Sequence, residues 1–585
     1  MGIERESITT YSISRCSIEK STNKAKSNVR KMSVSDSSSS LGASQKAGKL
    51  AHNYSWWPLI GMSFSLTNSW LGVSSSFVVG LSGAGQPAVV YGLIFAFVLT
   101  LMCGYSLSEF SRLLPNSAGT SFWTLKLLER SAVGDVEELS VREKSSSALD
   151  ISKLSQKEDE TTDDKLLKLS TMDSNSCRSS FQKHMAIAVG LINYFGCVFT
   201  TASIVSSLIY SIMGIHSILH PSFELKRWHT FLLYEILTIF LTAFNCNYRG
   251  LPFLSSFGLA MSLFSYAITF ILCLVSRSDT IAEQPWPKSE DIFYKFHNNT
   301  GWKSNGMAFL VSLINPLWSF VGIDSATHMV DEVGHAAARV LVPKVIMTTI
   351  VIGFVTSFSY SIALFYCVRD TSAVLESIAP AVTIYYQATG NRNLAVFMQA
   401  STIVAGLTCG VASGTWQSRM LWALSREMEA MRPEGTLSRL VTARFASIDS
   451  KNKVPLYAHL FSQVLVAIIG CIMLGSTKAF NAIISAAVTL LIVSYAIPSV
   501  ILLVRGRNRF IEKCEREAGD EAVKAPSKWG VIPHTMTVVY ALFCLVMLSF
   551  PYVKPVTVSN MNYVSVVYGA IAMIIGLVIV LFSSI

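Results

Sequence analysis

An acidic and an imidazole side chain stand close together in a stretch that is otherwise apolar enough to enter a bilayer. Asp324 and His328 are four residues apart in the sequence NGMAFLVSLINPLWSFVGIDSATHMVDE, which covers residues 305–332. This spacing places both side chains on one face of a helix. A carboxylate and an imidazole buried together can exchange a proton, because burial and pairing shift both titrations. The pair therefore predicts either a proton-coupling site or a hydrogen-bonded pair that locks the segment.

The helix that carries this pair is predicted to be interrupted. Pro316 has no N–H to donate and clashes with the preceding turn, and Gly322 follows it. Ser325, Thr327 and the acid–imidazole pair then arrive where a lipid-facing helix should still be apolar. A broken helix at membrane depth is tolerated only where it is buried in protein or lines a cavity. In secondary transporters such a break forms the substrate site, so the stretch indicates a carrier.

The composition places these residues in a membrane protein. Apolar residues make up 51% of the 585 residues and charged residues only 14%, against roughly 25% charged in soluble proteins. We therefore predict an all-α polytopic fold with twelve transmembrane helices. Each is long enough to cross about 30 Å of hydrocarbon. These segments, numbered 1 to 12 below, lie near residues 57–80, 87–109, 184–210, 228–247, 252–275, 307–330, 344–368, 394–417, 456–475, 480–504, 534–552 and 560–583.

The distribution of positive charge predicts the orientation. With the N-terminus in the cytosol, 37 of the 47 lysine and arginine residues fall on the cytosolic side, which is the positive-inside pattern. The net charge of +10 therefore reports topology and the anionic inner leaflet rather than nucleic-acid binding. Both termini are expected in the cytosol, with the carrier in the plasma membrane. The sequon at Asn298 then lies outside, where a glycan can be added, whereas the sequon at Asn53 stays inside and bare.

The hydrophilic parts predict no further catalytic or metal-binding unit. Residues 1–53 are rich in serine and lysine and are expected to form a disordered cytosolic tail. The insert 129–182 is expected to form a flexible cytosolic loop, with a short surface helix near 164–171. Both are candidate targets of kinases or of the ubiquitin machinery, or are passive spacers. The 11 cysteines are scattered, without CxxC or metal-ligand spacing, so neither a disulfide framework nor a metal or other cofactor is expected.

Segments 1 and 6 share an unusual character that predicts internal symmetry. Segment 1 is also polar in mid-span, with Ser63, Ser65, Thr67, Asn68 and Ser69 before Gly72. The two segments are five apart, so they enter the membrane from opposite sides. Interrupted helices in corresponding positions of oppositely oriented halves point to an inverted-repeat transporter, although serine-rich faces also serve as packing surfaces. We predict repeats over 54–276 and 307–505, an external loop at 277–306, a cytosolic loop at 506–532, and two further helices in 533–585.

Several motifs resemble those of the amino acid–polyamine–organocation superfamily. They include LPNSAG at 114–119, SRMLWALSR at 418–426 and FVGIDSATHMVDE at 320–332, of which the last looks like the signature of the fungal choline/GABA permease branch. Within that branch the chain resembles biotin-precursor permeases. The resemblance covers about residues 54–580. It implies a LeuT-like five-plus-five inverted repeat with two extra C-terminal helices. It also implies import of 7-keto-8-aminopelargonic acid driven by an ion gradient, with the proton as the expected ion.

A zwitterionic cargo of that kind assigns roles to the two breaks. Backbone N–H groups freed in segment 1 suit a carboxylate, and the amine needs an acceptor in segment 6. The predicted substrate-binding residues are Phe64, Ser65, Thr67, Asn68, Ser69, Phe320, Gly322, Asp324 and Ser325, with Asp324 and His328 as the proton-coupling pair. Phe64, Trp70, Trp318 and Phe320 are candidate gates over the apolar chain, although each aromatic side chain also suits packing.

The remaining acidic residues in the segments are expected to be structural. Glu109 and Glu332 lie near cytosolic helix ends and are predicted to pair with Arg419, Arg426 or freed backbone N–H groups. Glu235 lies inside segment 4, either as a buried protonated acid or as part of a polar network. Other interpretations keep the fold but change the cargo to choline, GABA or another amine, or make the protein a non-transporting nutrient sensor. An enzyme is not expected, because HExxH, GxSxG and phosphate-loop motifs are missing.

Overall fold

The computed structural model describes residue 50 and residues 52–129, 162–279, 286–431, 435–518, 528–558 and 560–584. Most of the predicted tail, much of the insert and part of the 506–532 loop lie outside these residues. Within the described ranges the regular elements are helices. Segments 1 to 5 comprise Trp56–Thr67, Ser69–Ser75 and Phe77–Ala84 (segment 1), Gln86–Leu113, Thr162–Leu219, Arg227–Phe244 and Leu251–Asp279. The helix expected near 164–171 is the start of Thr162–Leu219.

The second half continues with the same all-helical pattern. Segment 6 comprises Asn305–Ser312, Ile314–Trp318 and a 3₁₀ turn Ser325–Met329, and the short helix Val330–Val333 extends beyond its predicted end. Segments 7 to 12 are His335–Cys367, Arg392–Ala430, Leu456–Gly475, Thr477–Arg505, Val531–Met547 and Val564–Ser584. Shorter helices in the connections are Thr120–Leu128, Ser289–Phe293, Thr371–Glu376, Pro380–Thr389, Thr436–Phe445 and Arg507–Ala518, with a 3₁₀ turn Lys528–Gly530.

All twelve predicted segments coincide with helical stretches of the described chain. Eight of these helices are individually long and apolar enough to cross a membrane. The other four are the two interrupted segments, the 18-residue segment 4 and the 17-residue segment 11. The all-helical membrane class is thereby confirmed, and twelve crossings remain the prediction that the helix order supports.

The packing of the segments follows the predicted five-plus-five symmetry. Segment 2 packs along segment 7, segment 3 along segment 8, and segment 4 along segment 9, so these equivalent segments meet each other. Segment 3 also packs on segment 10, as segment 8 packs on segment 5. These are the pairings expected when residues 54–276 and 307–505 form two related repeats of opposite orientation. The symmetry places segments 1 and 6 next to each other at the centre.

The two ends of the bundle are tied by different contacts. At the N-terminal end, Leu50 and Tyr54 are buried, and the Tyr54 amide donates to the Glu332 carbonyl at 3.4 Å. At the opposite end, the amide of Asn299 donates to the carbonyl of Gly83. The connections 1–2, 5–6 and 7–8 all lie at this opposite end. The chain between segments 7 and 8 packs there on the last helix of segment 1.

Candidate functional site

The main break in segment 1 lies at a single residue, and a second interruption at Ser76 precedes its last helix. Its first helix ends at Thr67, and Asn68 adopts the left-handed conformation with φ 30° and ψ 58° before the next helix begins at Ser69. Asparagine is one of the few side chains that tolerate this region. The Asn68 amide donates to the Phe64 carbonyl at 2.7 Å, and its own carbonyl accepts from Gly72 at 3.0 Å. The break therefore redirects the chain while freeing few backbone groups.

Segment 6 is broken more widely, and the principal break lies after the predicted residue. Pro316 is inside the short helix Ile314–Trp318. Because proline cannot donate to the carbonyl four residues earlier, its effect is felt upstream, where that helix separates from Asn305–Ser312. The main interruption covers residues 319–324, with Gly322 at φ +84°, a conformation that favours glycine. The 3₁₀ turn begins only at Ser325.

A cavity of about 180 Å³ lies beside these breaks, between segments 1, 3, 6 and 8. Ile378–Ala381 from the 7–8 connection also line it, so it lies in the half of the bundle nearer the opposite end. None of the described side chains that line it is charged. The polar ones are Thr67, Asn68, Ser74, Ser75, Thr200, Ser207, Tyr210, Ser211, Gln399 and Thr402, and the indole of Trp318 also lines it. The cavity thus suits a molecule recognised by neutral hydrogen-bonding groups.

The orientation of the Asn68 side chain is fixed by two consecutive hydrogen bonds behind it. The indole N–H of Trp70 donates to the Ser262 hydroxyl oxygen at 3.0 Å. The Ser262 hydroxyl in turn donates to the Asn68 Oδ1 atom at 2.9 Å. An indole can only donate, so the serine proton is free to go to the amide oxygen. The Asn68 Nδ2 atom is left buried with no partner among the described residues, and it is therefore available as a donor.

The other substrate-binding candidates lie around the breaks rather than on the cavity. Of the predicted set, only Thr67 and Asn68 line the cavity, together with the predicted gate Trp318. The remaining seven are buried in the core or at its edge, namely Phe64, Ser65, Ser69, Phe320, Gly322, Asp324 and Ser325. Ser325 and Thr349 both donate to the Ser63 hydroxyl, at 3.2 and 3.3 Å. These hydroxyls therefore join segment 1 to segments 6 and 7.

Asp324 and His328 do form a direct pair, although Asp324 ends the irregular stretch and His328 lies on the 3₁₀ turn, so no regular helix carries them. The His328 Nε2 atom is 3.1 Å from the Asp324 Oδ2 atom. The Asn193 Nδ2 group donates to the same carboxylate oxygen at 3.0 Å and to the Ser494 hydroxyl at 2.9 Å. All four residues are buried. The pair is thus held between segments 3, 6 and 10, and its side chains do not line the cavity.

The second imidazole nitrogen fixes the number of protons on this pair. The His328 Nδ1 atom is 2.7 Å from the Ser117 carbonyl oxygen, which can only accept, so Nδ1 carries a proton. A neutral imidazole would then present a bare Nε2 lone pair to the Asp324 carboxylate at 3.1 Å. Two acceptors at that distance repel each other. The observed contact therefore requires one further proton, either on Nε2 or on the carboxylate.

Two acid–arginine contacts lie at the N-terminal end. Arg419 Nε donates to Glu332 Oε1 at 2.7 Å, and both side chains are almost fully buried. Next to them, Arg426 Nη1 donates to Asp331 Oδ1 at 3.0 Å, just beyond the predicted end of segment 6. Burial opposes ionisation of Asp331, but the Arg426 guanidinium outweighs it and holds the pKa of that carboxyl below its usual range. Asp331 is therefore ionised at neutral pH.

The partner predicted for Glu109 is wrong. Its carboxylate accepts from Arg507 at 2.6 and 2.8 Å, and His534 Nε2 lies 3.4 Å away, whereas Arg419 and Arg426 bond to the other acids. The chain after segment 10 returns to the end of segment 2, a tertiary contact that spacing along the sequence does not reveal. Glu235 Oε1 is buried without a hydrogen-bond partner among the described residues.

Sequence reasoning missed the contribution of segments 3 and 8 to the cavity. Thr200, Ser207 and Ser211 are separated by seven and four residues, which is the spacing of one helix face. That periodicity was available in the sequence. Gln399 and Thr402 lie three residues apart on segment 8 and also line the cavity. Two polar residues three apart in a long helix did not predict a cavity wall, because the same spacing is equally typical of a helix-packing surface.

Two broken segments of opposite direction, packed at the centre of an all-helical membrane bundle and flanking a cavity, define a solute carrier. The model of the family "Amino acid permease" matches residues 173–574. The chain belongs to the amino acid permease family. It is 49% identical over 539 residues to the 7-keto 8-aminopelargonic acid transporter of Saccharomyces cerevisiae, covering 91% of this chain and 92% of that protein.

More distant relatives carry other cargoes. The choline transporter of Saccharomyces cerevisiae is 34% identical over 542 residues, which are 91% of this chain and 82% of that protein. The swainsonine transporter swnT of Arthroderma benhamiae is 23% identical over 517 residues, or 88% of each chain. The fold is therefore shared by carriers whose named cargoes differ, and the family alone does not determine the substrate.

Proposed function

We propose that this protein is a proton symporter that imports 7-keto-8-aminopelargonic acid, a biotin precursor, across the plasma membrane. The observation that carries the cargo is the 49% identity to a carrier of that compound over nine tenths of both chains. The positive-inside distribution of charge supports cytosolic termini. In that orientation the cavity between segments 1, 3, 6 and 8 lies on the external side of the breaks.

The Asp324–His328 pair is the proposed proton-coupling site. The contact between its facing atoms needs one proton beyond the one on Nδ1, so release of that proton removes the attraction between them. Asp324 is the last residue of the irregular stretch 319–324. A change at the pair is thus transmitted directly to the break beside the cavity. Protonation is expected to favour one arrangement of segment 6 and deprotonation the other, which is how an ion gradient biases a two-state carrier.

The substrate is proposed to bind in the cavity with its carboxylate towards segment 1. Asn68 Nδ2 is a buried donor without a partner among the described residues, and Thr67 lies beside it on the cavity wall. Trp318 is the proposed gate over the apolar chain. The core residues Phe64, Ser65, Ser69, Phe320, Gly322 and Ser325 are proposed to reach the substrate only when the breaks rearrange. The Glu332–Arg419 pair is proposed to close the cytosolic path in the arrangement described here.

A second candidate cargo is a quaternary amine such as choline. It is favoured by the 34% identity to a choline transporter and by Tyr210 and Trp318 on the cavity wall, because aromatic faces attract such cations. The carboxylate of a zwitterion accepts a charge-assisted hydrogen bond from the Asn68 donor, whereas choline offers this donor only a neutral hydroxyl. For that reason the biotin precursor is the first proposal.

Growth rescue tests the cargo. A yeast strain that needs biotin, and that lacks its own carrier for the precursor, is supplied with this gene and with 7-keto-8-aminopelargonic acid in place of biotin. Growth is expected with the gene and not with the empty vector. A matched strain that needs choline and lacks its own choline carrier tests the second candidate. Growth on choline alone would replace the first proposal by the second.

A further inference from the structure

Gln399 presents an uncommitted amide to the cavity. It lies on segment 8, is only 2% exposed, and lines the cavity. Its Oε1 atom is buried without a hydrogen-bond partner among the described residues. Leaving a buried amide oxygen without a hydrogen-bond donor costs free energy. A ligand that donates to Oε1 would remove this cost.

The separation of Gln399 from Asn68 suits the two ends of one small molecule. The Cys409 thiol donates to the Leu66 carbonyl at 3.4 Å, which places Cys409 at the level of the break in segment 1. Gln399 precedes it by ten residues, or about 15 Å along the helix axis. Because Asn68 lies about 3 Å beyond Leu66 in the same direction, the two amides are about 12 Å apart along the bundle. The six bonds between the carboxylate and the ketone of the extended substrate span about 7 Å. The side chains of Asn68 and Gln399 reach across the rest of the distance.

We propose that Gln399 is the specificity-determining residue for the α-aminoketone end of the substrate. A primary amide carries an acceptor oxygen and a donor N–H side by side. An α-aminoketone carries an ammonium donor and a ketone acceptor on adjacent carbons, which is the complementary pair. Oε1 accepts from the ammonium and Nε2 donates to the ketone, while Asn68 Nδ2 donates to the carboxylate at the other end. A quaternary amine has no N–H and cannot make the ammonium bond to Oε1.

This proposal deepens the proposed function and rests on it, so the experiment separates the two. Uptake is measured in cells without their own carrier for three labelled compounds: 7-keto-8-aminopelargonic acid, 8-aminononanoic acid, which lacks the ketone, and 7-oxononanoic acid, which lacks the amine. The chain is compared with Gln399→Leu and with the matched control Gln463→Leu. Gln463 is a buried glutamine on segment 9 that does not line the cavity. Surface amounts are measured through a fluorescent tag.

The unaltered protein is expected to prefer the aminoketone over each analogue by about tenfold in uptake efficiency, the effect of one hydrogen bond to a desolvated group. Gln399→Leu is expected to lose this preference through a higher KM, while Gln463→Leu keeps it. A Gln399→Leu protein that retains the full preference would overturn the proposal. If that variant does not reach the surface, Gln399→Asn takes its place. Gln399→Asn is expected to show a reduced preference for the aminoketone, and an unchanged preference would overturn the proposal. No uptake of the aminoketone by the unaltered protein would instead refute the proposed function.

Discussion

Replacing Asp324 by asparagine should uncouple transport from the proton gradient while leaving the fold intact. The amide has the shape of the carboxylate, and its oxygen can still accept from Asn193, which now donates to Asp324 at 3.0 Å. The substitution weakens the bond from Asn193 and removes the attraction to His328, which together cost about 3 to 5 kcal/mol. This is less than the roughly 5 to 15 kcal/mol of a folded domain. The variant is therefore expected to reach the membrane.

The loss of coupling is a separate effect from the loss of stability. A gradient of one pH unit with a membrane potential of 100 mV supplies about 3.7 kcal/mol for each proton carried inward. One proton per substrate can therefore support about 500-fold accumulation. An amide does not titrate, so the side chain introduced by Asp324→Asn cannot share a proton with His328, and only equilibration remains. The accumulation ratio is expected to fall from the order of hundreds to about one.

The assay is uptake of labelled substrate into vesicles on which a pH gradient and a potential are imposed. Counterflow, the exchange of labelled for unlabelled substrate without a gradient, should persist in Asp324→Asn and shows that the cavity still works. Asp331→Asn is the matched control, because that carboxylate is close in sequence but paired with Arg426 and remains ionised at neutral pH. Asp324→Asn vesicles that still accumulate substrate in a pH-dependent way would show that the proton is carried elsewhere.

Three further predictions test the break, the site and the orientation. Ser262→Ala should raise KM several-fold without touching the cavity, because it releases the Asn68 amide to rotate; an unchanged KM in substrate titrations, with Ser262→Thr as control, would contradict this. Gly322→Ala should lower the free energy of unfolding by about 1 to 2 kcal/mol, which is the cost of a left-handed conformation for a residue with a Cβ atom. The measurement is the melting temperature in detergent, which should fall; an unchanged melting temperature would refute this prediction. Glycosidase treatment should shift the gel mobility of the protein, and either Asn298→Gln or Thr300→Val should abolish the shift; a shift that survives both would refute glycosylation at this sequon.

The architecture was largely predictable because lipid imposes simple rules on sequence. Apolar length gives the segments, and the polar interruptions in segments 1 and 6 predicted which two helices break. The position of the break in segment 6 was harder to predict from the sequence. Pro316 disturbs the turn before it, whereas Gly322, with its φ of +84°, lies in the main interruption. Pairing at a distance was predicted only in part: the expected Glu332–Arg419 pair forms, whereas the partner of Glu109 was not foreseen. Glu109 bonds to Arg507, almost four hundred residues later, and only the folded chain brings them together.

The location of the acid–imidazole pair has a mechanistic consequence that spacing alone did not suggest. A proton site that shared the cavity would compete directly with a positively charged amine, since both would use the same carboxylate. Here Asp324 is turned towards Asn193 and His328, and the cavity wall carries no charge among its described residues. In the proposed mechanism, proton and substrate are instead connected through the irregular residues 319–324, which end at Asp324 and begin next to Trp318 on the cavity wall. Each ligand then acts on the other by favouring one arrangement of that stretch, so that coupling comes from a shared conformational equilibrium. The same separation predicts that cavity mutations change KM and leave the proton dependence intact, whereas mutations at the pair do the reverse.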